Sequence, residues 1–169
     1  MLRDAGVNLG VADKDGFTPA HWAASNRHVN CLEMLRDANV DLTVGDKWGE
    51  TPAHKAAKNG RTECLELLRD AGVNLGVADK DGFTLAHLAA INGHVECLQL
   101  LHDDGIDLGV ANNNGDTAAH AAAFNGYTEC LKVLRDSGVN LDVADKIGET
   151  PGHLAAQYGY AEYLKVLHD

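Results

Sequence analysis

Apolar and polar positions along this chain fall into short stretches that return every 33 residues, and two kinds of stretch alternate. The first kind opens with Thr18, suited to a helix N-cap, and Pro19, suited to the first helical position because its missing donor costs nothing there. Ala23 and Ala24 follow, small enough for close backbone approach. Asn59-Gly60, Asn92-Gly93 and Asn125-Gly126 then stop the equivalent stretches, as glycine does at a C-terminal cap. A helix of about two turns is predicted. The second kind, Glu63 to Asp70 for example, keeps Cys64, Leu65, Leu67 and Leu68 mostly on one side of a second helix. Gly72, Gly105 and Gly138 end it, while Asn39 stands in that place as a residue able to enter the left-handed region. Asp13-Lys14-Asp15-Gly16 reads as a turn before the first helix, with the makings of a hairpin.

Helices this short are marginal alone, because stable isolated helices need roughly 12–15 residues. Each pair must therefore gain its stability by stacking on the next. Leu35, Leu68, Leu101, Leu134 and Leu167 share one phase and supply a continuous seam. An all-α solenoid of stacked helix-turn-helix units with projecting hairpin-like loops is the expected architecture.

The register is firm. Thr18-Pro19-Ala20-His21 recurs as Thr51-Pro52-Ala53-His54, Thr84-Leu85-Ala86-His87, Thr117-Ala118-Ala119-His120 and Thr150-Pro151-Gly152-His153. Leu2 to Thr18 returns letter for letter at Leu68 to Thr84. With its Asp-x-x-Gly-x-Thr-Pro-x-His-x-Ala-Ala run and second-helix leucines, the chain resembles the ankyrin repeat family. On that resemblance it divides into a partial repeat at 1–12, repeats at 13–45, 46–78, 79–111 and 112–144, and an incomplete one at 145–169. The resemblance implies paired antiparallel helices, loops projecting at right angles and a concave binding face. It also implies that each periodic histidine bonds its local threonine and a neighbouring backbone group.

Some residues depart from the family's pattern. Ala20, Ala53, Ala86, Ala119 and Gly152 take the place of a usual leucine, and Trp22 is expected to fill volume in the first full unit. Lys55 stands at a usually apolar place, and its stem is expected to snorkel outward. Arg27 replaces a helix-ending glycine, which predicts a strained or loosened turn. Gly10, Thr43, Gly76, Gly109 and Asp142 replace the asparagine that the family often has hydroxylated, so that modification is not predicted.

Charge narrows the partners. With 25 acidic and 14 basic residues the net charge is −11, which disfavours nucleic acid as a partner. No uninterrupted apolar run approaches membrane-spanning length, and Met1 to Gly6 has no signal-peptide core. Cys31, Cys64, Cys97 and Cys130 are expected in the core, about one interhelical spacing apart and too far for disulfides. Free thiols suit a reducing, intracellular setting, with the cytoplasm the natural compartment. Five histidines at one phase fit a repeated structural job better than a metal site. Asp13 and Asp79 open runs resembling a calcium loop, but Ala24 and Ala90 stand where its twelfth-place Glu belongs. No nucleophile elbow or phosphate loop occurs, so neither enzyme chemistry nor a cofactor is expected. Rows of Glu63, Glu96, Glu129 and Glu162, interleaved with arginines, read as a solvated outer face.

Where the copies differ, a binding face is free to diverge. Lys14, Phe17, Lys47, Trp48, Glu50, Lys58, Phe83, Ile91, Asp116, Phe124, Ile147, Glu149 and Tyr158 occupy such positions, which by resemblance line the groove. Aromatic anchors in a polar surround suit a protein partner. A non-catalytic interaction module or scaffold is the expected function. The alternative is a structural or linker subunit docked in a larger assembly. Neither end carries a polar capping unit, and Val166 and Leu167 are expected to face nothing. This predicts a segment of a longer array, or ends that meet neighbouring subunits.

Overall fold

The computed structural model describes residues 6–169. Of the partial unit expected at 1–12, residues 1–5 lie outside the described residues. Among the described residues ten helices follow in five pairs: α1 (Pro19–Ser25) with α2 (Val29–Asp37), α3 (Pro52–Lys58) with α4 (Thr62–Asp70), α5 (Leu85–Ile91) with α6 (Val95–Asp103), α7 (Ala118–Asn125) with α8 (Thr128–Asp136), and α9 (Pro151–Tyr158) with α10 (Ala161–His168). Each pair stacks on its neighbours, which makes the all-α solenoid expected from the helix lengths.

Odd-numbered helices begin at a threonine in extended conformation, and α1, α3, α5 and α7 bury small residues such as Ala53, Ala56 and Ala57. That smallness lets α3, α5, α7 and α9 approach one another more closely than the even helices do. The even helices bury Leu32, Leu65, Leu98 and Leu131 completely, forming the leucine-rich layer behind.

The loops are tied in two directions. Within a loop, the Asp13 carboxylate accepts the N–H groups of Asp15 and Phe17, both at 2.9 Å. Asp46, Asp79 and Asp145 do the same, and so does the side-chain amide oxygen (Oδ1) of Asn112. Between loops, Lys47, Lys80, Asn113 and Lys146 donate backbone N–H groups to Asp15, Trp48, Asp81 and Asn114. One backbone bridge, Ala78 to Thr84, is all of the strand pairing among the described residues. The loops are turns linked edge to edge more than hairpins. Gly82 permits that linkage, since a Cβ at its φ of +83° would lie 2.8 Å from the Asn113 nitrogen.

Arg27 and Asn39 are the two non-glycine residues at positive φ among those described, at 61° and 56°. Both replace glycines of the repeat. Arg27 also ion-pairs with Glu63 at 2.9 Å on the surface.

Several expectations need correction. Trp22 does not fill the core: it is 55% exposed. Cys31 is exposed too, unlike the buried Cys64, Cys97 and Cys130. Both sit on the first pair, on the side where every later pair receives the pair before it. At the other end Val166 is buried, since α10 packs on α8 and α9. Tyr163, in the cysteine place, is fully buried and its hydroxyl donates to the Ala119 carbonyl at 2.6 Å.

Candidate functional site

A ladder of histidines sets the inner face. His21 Nδ1 accepts the Thr18 N–H at 3.0 Å, so the proton sits on Nε2, which donates to the Glu50 carbonyl of the next loop at 2.9 Å. His54, His87 and His120 repeat the arrangement toward Phe83, Asp116 and Glu149. Each imidazole thus caps its own helix and ties it to the following loop, as the resemblance implied. His153 keeps the bonds to Thr150 but is exposed. Burial lowers the pKa values of His21, His54 and His87, with the receiving carbonyls and nearby carboxylates opposing it. With both ring nitrogens engaged, these histidines have no lone pair left for a metal. Among the described residues no group of three His, Cys, Asp or Glu side chains is placed to hold one. Burial also pushes the Cys130 thiol up to about 12, leaving it a poor nucleophile.

Against this ladder the surface has two different halves. In the N-terminal half, Lys55 does not snorkel outward. Its side chain is only 9% exposed and its ammonium lies 2.8 Å from Asp46 Oδ2 and in contact with the Glu50 carboxylate. Phe17 and Trp48 cover it, with ring centroids 4.6 and 5.8 Å from Nζ. The loop folds back over the start of α3, so two carboxylates reach a lysine that would otherwise be stranded. Burial pushes the Asp46 carboxyl up, but hydrogen bonds from Lys55 and from the N–H groups of Glu50 and Trp48 outweigh it and the pKa falls. Glu50, a groove candidate from the sequence, is therefore buried and spent on Lys55. Lys58 is exposed and lies 3.8 Å from its other oxygen. Lys47 pairs with Asp15 at 2.6 Å and lies 4.3 Å over the Trp48 ring. Phe17 also stacks near Trp22, with centroids 5.3 Å apart. Lys14 is exposed at the loop edge.

The C-terminal half is open. Phe83, Ile91, Phe124 and Leu154 wall a hollow of about 220 Å³, with His87, His120 and Ala121 at its base and Asp116, Asp145 and Glu149 at its rim. Ala121 makes the room, since Trp22, Lys55, Leu88 and Leu154 fill the same place in the other copies. Phe124 and Tyr158 stand exposed as an edge-to-face pair with centroids 5.2 Å apart. Ile147 is 80% exposed at its loop tip. Phe83 is half-buried, packs edge-on to His87 and borders the shallow space beside Trp48 and Lys55 as well as the hollow, so the two halves meet. The structure thus brings most of the sequence candidates onto one continuous strip.

Two features escaped the sequence reading. The ion triad was signalled by one copy having Glu50 and Lys55 where its neighbour has Phe83 and Leu88. The hollow was signalled by Ala121 being the one small residue at its phase.

A stack of short helix pairs joined by linked loops defines a helical repeat protein. Models of ankyrin repeats match residues 38–112, 86–169 and 1–36. The chain belongs to the ankyrin repeat family, whose members are generally protein–protein interaction modules. A search of curated proteins returns no match. Among the described residues no helix is long and apolar enough to cross a membrane.

Proposed function

We propose that the chain is a non-catalytic binding module that holds a partner protein along the strip formed by the loops and the odd helices. One observation carries this reading. Side chains that differ from copy to copy emerge together there, with Trp48, Phe124 and Tyr158 each more than two-fifths exposed. Isolated exposed aromatics are ordinary, but a row of them beside charged residues matches the anchors of protein interfaces. Free thiols, three of them buried, fit a reducing compartment, and the cytoplasm is the setting that goes with this reading.

Affinity capture with the intact chain tests it. Trp48→Ala combined with Phe124→Ala should abolish recovery of a specific partner, while Glu66→Ala with Glu162→Ala, on exposed even-helix positions, should leave it unchanged. The reverse pattern would favour docking within an assembly through the back of the stack.

A further inference from the structure

The apolar hollow at α7 is rimmed by carboxylates that nothing nearby neutralises. Asp116, Asp145 and Glu149 form no ion pair among the described residues, whereas Asp46 and Glu50 at the equivalent places hold Lys55. Lys146 is exposed and does not line the hollow. The walls are apolar, from Phe83, Phe124 and Leu154. We propose that this hollow seats one leucine or phenylalanine side chain of a basic partner segment, with flanking arginines or lysines meeting the three carboxylates. The inference rests on the proposed binding face and specifies its occupant.

Two properties of the site select that occupant. A volume of about 220 Å³ suits one large apolar side chain and is too small for a helix. The rim charge, on a chain of net charge −11, repels an acidic segment and attracts a basic one. In the N-terminal half the protein's own Lys55 already sits beneath Phe17 and Trp48, against the same two acidic positions. The C-terminal half has the carboxylates without the cation.

The test uses the intact chain and a set of synthetic nonapeptides in a Gly/Ser background. Each has a central Leu, Phe or Gly flanked by Arg, Ser or Glu, and binding is read by fluorescence anisotropy. Arg-flanked Leu and Phe peptides should bind best, at least about tenfold more tightly than the Gly-centred or Glu-flanked ones. Ala121→Leu should remove that preference. It places at 121 the residue already present at Leu88 and Leu154, and an unchanged thermal melt checks that the fold survives. Glu149→Gln with Asp116→Asn should weaken Arg-flanked peptides while sparing Ser-flanked ones. Equal binding of Gly-centred and Leu-centred peptides, indifference to Ala121→Leu, or no binding by any peptide would overturn the proposal. A captured partner lost on Trp48→Ala but retained on Ala121→Leu would sink this inference alone, leaving the binding face intact. Retention in both variants and in Phe124→Ala would sink the face as well.

Discussion

The second and fourth helix pairs share a backbone plan yet do opposite things with the same two places. In the second, Glu50 and Lys55 meet each other and Asp46, and two aromatic rings close over them. In the fourth, Asp116 stands in the Glu50 place and Ala121 in the Lys55 place, leaving a carboxylate beside a void. The histidine, threonine and alanine framework is common to both, so the scaffold tolerates either content. The positions that hold the stack are separate from those that vary across its face. Conserved copies within the chain make the stack, and one loop position with one helix position decide whether a segment of the face is closed or open.

The largest expected effect comes from breaking the closed side. Lys55→Leu leaves two buried carboxylates without their cation and should cost about 3 kcal/mol in chemical denaturation. Adding Glu50→Phe rebuilds the Phe83 and Leu88 arrangement of the third copy and should recover most of that loss. Failure to recover would mean that the closed half depends on more than this pair.

Acidification should act on the ladder through its buried imidazoles. His21, His54 and His87 have lowered folded-state pKa values, so the unfolded chain binds protons more readily. Stability is full above the unfolded histidine value of about 6.5 and falls as pH drops from there toward the folded values. Each histidine contributes a slope of at most about 1.4 kcal/mol per pH unit, measurable by urea melts between pH 7.5 and 5.5. A flat profile would show that the imidazoles do not hold the loops.

Arg27 offers a smaller gain. It sits at a φ of 61° where later copies have glycine, and Arg27→Gly should stabilise the first pair by about 1 kcal/mol despite losing the exposed Glu63 pair. The smallest effect belongs to the open side. Ala121→Leu adds methylenes to a water-accessible hollow, and a thermal melt should register a change below about 1 kcal/mol.

Much of this was legible beforehand because repetition multiplies weak local signals. Thr18 and Pro19 marked the start of α1, and five copies in one register left no competing placement. Asn39 signalled its own left-handed conformation. Lys55 was misread because a lone lysine at an apolar phase ordinarily reaches for water. Its pairing depends on a loop folding back to bring Asp46 and Glu50 over the helix start, which side-chain periodicity does not encode. Cys31 shares a phase that is buried in every later copy, and Trp22 one that is buried in the next three. Burial there comes from the preceding pair, and the first pair receives none among the described residues. Tyr163 shows the opposite case: a ring in the cysteine place reaches α7 and anchors the last pair, which its position alone did not announce.

Hydrogen exchange of the intact chain, with and without a captured partner, addresses the binding face most directly. New protection is expected in the loops around Trp48, Phe83 and Asp116 and along α5, α7 and α9. Protection confined to α2, α4, α6 and α8, with those loops unchanged, would contradict it.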